Sequence, residues 1–302
     1  MYREHFGLSE LPFSITPDTT FFFASHGYQE ALNTLLVAAR SGEGFIKITG
    51  EVGTGKTLLC RKFMAALDDN FKTAYIPNPY LEPESLLRVL ADELGLDVDE
   101  EAAVGQHKLL SRLNQALVDF AREGKQVLLC LDEAQAMPIE TLEALRLLTN
   151  LETEKRKLLQ VVIFGQPELE EKLDQPSIRQ LKQRITFDYR LDKLSRDELH
   201  YYLNHRLVVA GYRGGRLFTP MAMWLLHRKT DGVPRLVNIV AHKALMAAFG
   251  KGKRQVGFNE MRAAIKDTAS TREAGLKHGI TMTLLLILLL VAAAALGWSY
   301  YA

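Results

Sequence analysis

The stretch Ile46-Lys47-Ile48-Thr49-Gly50-Glu51-Val52-Gly53-Thr54-Gly55-Lys56-Thr57 restricts this chain more than any other. Apolar residues at alternate positions lead into G-x-x-x-x-G-K-T, and Leu58-Leu59-Cys60 opens a helical pattern, so the order is strand, loop, helix. Gly50, Gly53 and Gly55 let the backbone curl until successive N–H groups converge on phosphate oxygens. A helix starting at Lys56 points the positive end of its dipole at the same anion. Lys56 adds a point charge for the β- and γ-phosphates, and the Thr57 hydroxyl is placed to ligate Mg²⁺. Gly50, Glu51, Val52, Gly53, Thr54, Gly55, Lys56, Thr57 and Leu58 are therefore the expected cradle for a nucleoside triphosphate.

A phosphate loop alone serves kinases, GTPases and motors alike. The second signal is the continuous apolar run Val127-Leu128-Leu129-Cys130-Leu131, of strand length, which ends in Asp132-Glu133. Asp132 suits a carboxylate that holds Mg²⁺ directly or through water, and Glu133 suits the general base that polarises the attacking water. The pair favours hydrolysis over phosphoryl transfer to a small molecule. No N-K-x-D sequence for guanine accompanies it, so ATP is the expected nucleotide.

Three further polar residues gain meaning from that pair. Gln166 closes the next apolar strand, beside the place of the γ-phosphate, and suits a residue orienting the water. Arg184, with Arg179 as the alternative, precedes the last strand on a face that a neighbouring subunit would meet; an arginine supplied in trans stabilises transition-state charge. Arg235, in Gly232-Val233-Pro234-Arg235, opens a late helix and suits a phosphate contact from above. Read singly, each is an ordinary surface residue; their order along the chain gives them weight.

Between these motifs, apolar strand patterns alternate with helical ones: a helix over 25–40, strands over 73–76, 127–131, 159–164 and 185–191, and helices over 83–94, 106–122 and 139–149. That alternation predicts a three-layer α/β fold, a P-loop NTPase core around a parallel sheet. Residues 1–20 are spaced too unevenly for one helix or strand and read as a segment draped over that core. The acidic stretch 97–101 reads as a solvated loop, and a polar stretch runs up to Gln183. From Ser195 the pattern is helical only, with a capping box at Ser195 and Glu198 and an N-cap with proline at Thr219-Pro220. The expected domains are a core with N-terminal extension over 1–194, a helical lid over 195–268, a juxtamembrane linker over 269–279 and a transmembrane helix over 280–301.

That last expectation rests on composition. Residues 280–297 contain no charge, and at about 1.5 Å per residue they span about 27 Å, the depth of a bilayer's hydrocarbon. Trp298, Tyr300 and Tyr301 follow at the far end, and Arg272, Lys277 and His278 precede it, which places the N-terminal bulk in the cytoplasm. Residues 1–18 lack the continuous apolar region of a signal peptide. Over the whole chain 37 basic and 36 acidic residues nearly cancel, which predicts no nucleic-acid coat. Cys60 and Cys130 read as small buried core residues of a reducing compartment.

The order of Walker A loop, Walker B pair, sensor 1 glutamine, finger arginine and sensor 2 arginine in a helical lid resembles an AAA+ ATPase. Phe6-Gly7-Leu8, Pro12-Phe13, Thr16-Pro17-Asp18, Leu131-Asp132-Glu133-Ala134-Gln135, Phe164-Gly165-Gln166-Pro167-Glu168-Leu169 and Gln183-Arg184-Ile185 narrow the resemblance to the secretion ATPase A family (ExeA or GspA type). Within it, the short members that serve MSHA-type pili are the most similar. The likeness covers residues 1–270. It implies that Phe13 lines the adenine pocket, that ATP and Mg²⁺ are bound, and that the chain forms a homo-oligomer with an arginine finger in trans. It also implies inner-membrane partners in a type IV pilus or type II secretion machine, at the bacterial inner membrane, single-pass, with the ATPase domain in the cytoplasm. Gln166 stands where many AAA+ proteins carry Asn or Thr. Longer family members continue into a peptidoglycan-binding domain beyond the membrane helix, and this sequence stops at Ala302.

Two other readings stay open at this point. A DNA-dependent AAA+ regulator of the transposition or replication-initiation type would need a basic face, for which Lys251, Lys253 and Arg254 offer one small cluster. A slowly hydrolysing switch acting through protein contacts would carry the same motifs.

Overall fold

The apolar runs become one parallel sheet in the computed structural model, which describes residues 2–16, 18–96, 106–150 and 157–268. Its strands are β1 (Phe45–Gly50), β2 (Phe71–Ile76), β3 (Gln126–Leu131), β4 (Leu159–Gly165) and β5 (Phe187–Leu191). Their order across the sheet is β2-β3-β4-β1-β5, with Ile48 opposite Phe164 on one side and Tyr189 on the other. The chain leaves β1 for the far edge, works back to β4, then crosses β1 to place β5. Ligand sites of open α/β sheets sit where the order reverses in this way, beyond the carboxyl ends of the strands. The phosphate loop leaves β1 at that point.

Alternate side chains of each strand go to opposite layers, as a pleated strand requires. Leu128 and Cys130 of β3 and Val162 and Phe164 of β4 pack with α2 (His26–Arg40) and α3 (Lys56–Ala65). Val127, Leu129 and Leu131, with Leu159, Val161 and Ile163, pack with α4 (Pro83–Glu93), α5 (Gln106–Arg122) and α6 (Ile139–Leu148). Strand β3 is therefore apolar from Val127 to Leu131 and β4 from Val161 to Phe164, because both of their faces are covered. Strand β5 lies at the edge, with Phe187, Tyr189 and Leu191 against the α2 layer and Asp188 and Arg190 exposed, which explains its alternation.

The expected three-layer α/β architecture stands, with three local differences. Strand β2 begins at Phe71 rather than Thr73, and β5 begins at Phe187 rather than Ile185, whose side chain packs against the core instead. The polar stretch after β4 is not without structure: it holds α7 (Glu168–Leu173) and α8 (Arg179–Lys182). Leu169, Leu173, Ile178 and Leu181 bury one side of it while charged residues fill the rest, a stripe too short and irregular to register as a helical period.

The chain divides into two compact units, Pro17–Asp192 around the sheet, and Met1–Thr16 together with the chain from Lys193 onward. In the second unit α9 (Arg196–Val209) starts at the Ser195–Glu198 capping box and α10 (Pro220–Thr230) at Thr219, followed by α11 (Pro234–Gly250) and α12 (Phe258–Lys266). The N-terminal stretch, expected to drape across the main domain, groups with the helices. Tyr2–Phe6 forms a short helix, α1, and the Tyr2 hydroxyl meets His242 Nδ1 at 2.8 Å. Arg206, 6% exposed, donates to the Pro12 carbonyl at 2.5 Å, so a buried guanidinium finds its acceptors in residues 12–14. Residues 1–16 thus belong with the helices.

Among the described residues no helix is long and apolar enough to cross a membrane. The expected loop at 97–101, linker at 269–279 and transmembrane helix at 280–301 lie outside the described residues.

Candidate nucleotide site

The loop that leaves β1 is shaped by two left-handed glycines, Gly53 (φ 81°) and Gly55 (φ 100°). At Gly55 a Cβ would fall 1.8 Å from the Tyr28 hydroxyl, and at Gly50 it would fall 2.9 Å from the Leu191 carbonyl oxygen. Tyr28, from α2, donates to the Thr54 carbonyl at 2.6 Å, and the Thr54 hydroxyl donates to the Glu51 carbonyl at 2.9 Å. The loop is therefore braced from beneath, and α3 begins at once after Gly55 with its N–H groups directed into the loop. Lys56 is 5% exposed, and its ammonium donates to the carbonyls of Gly50 at 2.7 Å and Glu51 at 3.1 Å. Burial lowers the Lys56 pKa, and the nearby Glu133 and Asp132 carboxylates oppose that shift. A ring of main-chain donors around a buried lysine fits phosphate, whose charge would relieve the burial penalty.

The opposite wall comes from the ends of β3 and β4. Asp132, 2% exposed, accepts from the Thr57 hydroxyl at 2.6 Å through Oδ2 and from the Glu133 N–H at 3.0 Å through Oδ1. Burial raises the Asp132 pKa, with those two hydrogen bonds pulling the other way. The Thr57 hydroxyl and Asp132 carboxylate are hard oxygen donors side by side, the set Mg²⁺ takes in company with phosphate oxygens. Glu133 turns out of the strand with φ 53°, a left-handed conformation that is uncommon for a non-glycine residue. Its Oε2 accepts from Gln135 Nε2 at 2.5 Å and from Gln166 Nε2 at 2.9 Å, while the Gln166 N–H donates to Gln135 Oε1 at 3.0 Å. The structure thus brings Lys56, Thr57, Asp132, Glu133 and Gln166 together at one end of the sheet. Glu51 is partly exposed, Val52 is 53% exposed at the loop's tip, and Leu58 is half-buried in the first turn of α3.

Of the remaining expected residues, Arg184 and Arg179 belong to the sheet unit and Arg235 and Phe13 to the helical one. Arg184 follows α8, half-buried, and donates to the Thr149 hydroxyl at 3.2 Å and the Arg146 carbonyl at 3.4 Å, beside the C-terminal end of α6. Arg179 is exposed. Arg235 is exposed in the first turn of α11, in the other unit. Phe13 belongs to that unit as well; it is 2% exposed, and its ring makes a T-shaped pair with Phe218 at 6.0 Å. Cys60 and Cys130 are both buried free thiols, and a hydrogen bond between them, together with burial, pushes the Cys60 pKa well up.

Sequence reasoning missed two contributors. Tyr28 lies at helical spacing with Leu32 and Leu35 in α2, and nothing in that spacing announces that its hydroxyl braces the loop. Gln135 lies two positions past Glu133 in a segment that carries no periodicity, although its amide beside a carboxylate pair was a signal open to reading.

The family of AAA domains matches residues 39–173, from the end of α2 to the end of α7. General secretion pathway protein A of Aeromonas hydrophila is 41% identical over 301 residues, covering 100% of this chain and 54% of its own length, so the chain spans about half of that relative. Among solved structures, CDC6P from Pyrobaculum aerophilum is similar with a TM-score of 0.64 at 18% identity, over 83% of this chain and 70% of that one. The ORC2 protein of Aeropyrum pernix is similar at 0.59 and 18%, over 83% and 72%. The RuvB Holliday junction branch migration motor of Thermotoga maritima is similar at 0.55 and 14%, over 84% and 73%. At such identities these three speak for the fold alone, a P-loop AAA+ fold around a five-stranded parallel sheet. Identity along the whole chain, the matched AAA domain and the clustered Walker residues together place the chain in the ExeA/GspA family of AAA+ ATPases.

Proposed function

We propose that the chain is the oligomeric, membrane-tethered ATPase of a type IV (MSHA-like) pilus or type II secretion machine, anchored in the bacterial inner membrane through residues 280–301. The observation that carries the catalytic half is the arrangement of Thr57, Asp132, Glu133 and Gln166 around the phosphate loop. Main-chain N–H groups of residues 50–57 and the Lys56 ammonium bind the phosphates, and Gly55 lets that backbone approach closely. Thr57 and Asp132 would hold Mg²⁺, which would supply positive charge to offset that of the phosphates. Glu133 takes a proton from the attacking water, and Gln166 orients Glu133 and that water. Arg184 is the arginine offered to a neighbouring subunit's nucleotide, with Arg179 the alternative, and Arg235 is the arginine that reports nucleotide from the helical unit. Likeness to a general secretion protein supports the machine half. The DNA-regulator reading lacks such support: Lys251 and Lys253 are both engaged by Glu260, and Arg254 by the His5 carbonyl.

The test is phosphate release per subunit against protein concentration in detergent or vesicles, for the wild type and Arg184→Ala. A rate that climbs with concentration, and a flat residual rate in Arg184→Ala, is the expected pair. A wild-type rate independent of concentration sinks the oligomeric reading. Co-expression of Glu133→Gln with the wild-type copy should suppress pilus display or secretion by mixed assembly; undisturbed display and secretion would remove the machine assignment.

A further inference from the structure

Gln135 has no part in the phosphate loop or in the strand-end carboxylate pair, yet its amide touches both strand ends at once. We infer that Gln135 is a positioning residue for hydrolysis, fixing the Glu133 carboxylate and setting it in register with the end of β4. The inference rests on Glu133 acting as the base in the reading above.

Three observations support it. First, both halves of the amide are used: Nε2 donates to Glu133 Oε2 at 2.5 Å and Oε1 accepts from the Gln166 N–H at 3.0 Å. A carboxylate only accepts and a main-chain N–H only donates, so one amide orientation satisfies both, and no other uncharged side chain of this length offers a donor and an acceptor on one rigid plane. Second, Gln166 closes the figure by donating from its own amide to the same Oε2 at 2.9 Å. The base is thereby tied to β4 twice, directly through the Gln166 side chain and through Gln135 to the Gln166 backbone. Third, the tie matters because the backbone at Glu133 is uncommon. Its φ of 53° is held by the Asp132 carboxylate on the Glu133 N–H and by the Ala136 N–H on the Glu133 carbonyl at 2.9 Å. Ala134 and Met137, both 0% exposed, bracket the turn and fix the position from which Gln135 reaches out.

The consequence is chemical. Both amides bond Oε2, so Oε1 is the oxygen we assign to the proton. As the water oxygen attacks the γ-phosphorus, its proton passes to Oε1. The bond from the γ-phosphorus to the β–γ bridging oxygen breaks, and its electron pair leaves with ADP. A base that rotates loses this alignment, and aligned geometry is a large part of what a general base contributes.

The experiment uses the full-length chain with Gln135→Ala and Gln135→Glu, each in the wild-type and the Glu133→Gln background. Single-turnover hydrolysis of labelled ATP and binding of a fluorescent ATP analogue are measured. Gln135→Ala should lower the hydrolysis rate about 10- to 100-fold while analogue affinity stays within about twofold. Gln135→Glu still accepts from the Gln166 N–H but sets a second carboxylate against Glu133, so it should lose at least as much. In the Glu133→Gln background, Gln135→Ala should leave the residual rate unchanged, because the group it positions is gone. A fall of equal size in both backgrounds, a loss of analogue affinity in parallel with rate, or a Gln135→Ala enzyme at wild-type rate each overturns the inference while leaving the ATPase reading intact. A wild type that binds the analogue and releases no phosphate overturns both.

Discussion

The nucleotide site and the turn that opens α12 both bury charged side chains, and they treat them in opposite ways. At the turn, Glu260 is 1% exposed and is met by Lys251 at 3.1 Å and Lys253 at 2.9 Å, while its second oxygen accepts from the Gly257 N–H at 3.2 Å. Those partners hold its pKa down at about 2. At the nucleotide site the hydrogen bonds of Lys56 go to carbonyls and those of Asp132 come from a hydroxyl and an N–H, and burial moves both pKa values toward the neutral form against the pull of neighbouring charges. The turn has closed its charge balance within the chain. The nucleotide site has not, and its imbalance is what a polyanion with its divalent cation would complete.

Substitutions should break that contrast in order of size. Lys56→Met should raise the dissociation constant for ATP by more than about 100-fold, since it removes a buried charge from the phosphates' contact. Equilibrium dialysis checks this, and Lys251→Met with Lys253→Met should leave the same affinity untouched. Next comes Glu260→Gln, which should cost about 1–2 kcal/mol in a denaturant titration, because its lysine partners are half exposed and water takes them back. Its pH dependence follows from a folded pKa of about 2 against 4.5 ordinarily. The contribution is complete above about pH 4.5 and fades as pH falls toward 2, and Glu260→Gln should flatten that part of the stability profile. The smallest effect is expected at Lys47, another buried charge, on β1. It pairs with Asp188 at 2.9 Å and Glu170 at 3.7 Å, both partly open to solvent, so Lys47→Met should change stability by less than about 1 kcal/mol.

How much of this was legible in the sequence follows from where each signal is encoded. Strands β3 and β4 were readable because burial on both faces leaves them apolar from Val127 to Leu131 and, but for Gln160, from Leu159 to Phe164. Strand β1 was readable because its alternating apolar residues lead into the phosphate loop, and the helical caps at Ser195 and Thr219 because the capping atoms lie within three residues. The phosphate loop, Asp132 and Glu133 were readable because local backbone and chemistry coincide. The brace from Tyr28 to Thr54, the grip of Arg206 on Pro12 and the amide link from Gln135 to Gln166 are contacts between side chains and backbone far apart in sequence. Helices α7 and α8 escaped notice because their buried leucines are supported by the sheet rather than by a period of their own.

The pairing of residues 1–16 with the helical unit has a consequence for how the protein is made. The sheet unit is an uninterrupted segment and can complete itself as soon as Asp192 has left the ribosome. Tyr2 must wait for His242, 240 residues later. At about 5–20 residues per second that is a delay of roughly 12–48 s, during which Phe6, Leu8 and Phe13 have no core to enter. Residues 2–16 are thus made before the sheet unit yet find their places after it, and a chaperone meeting the nascent chain would find its hydrophobic handle there.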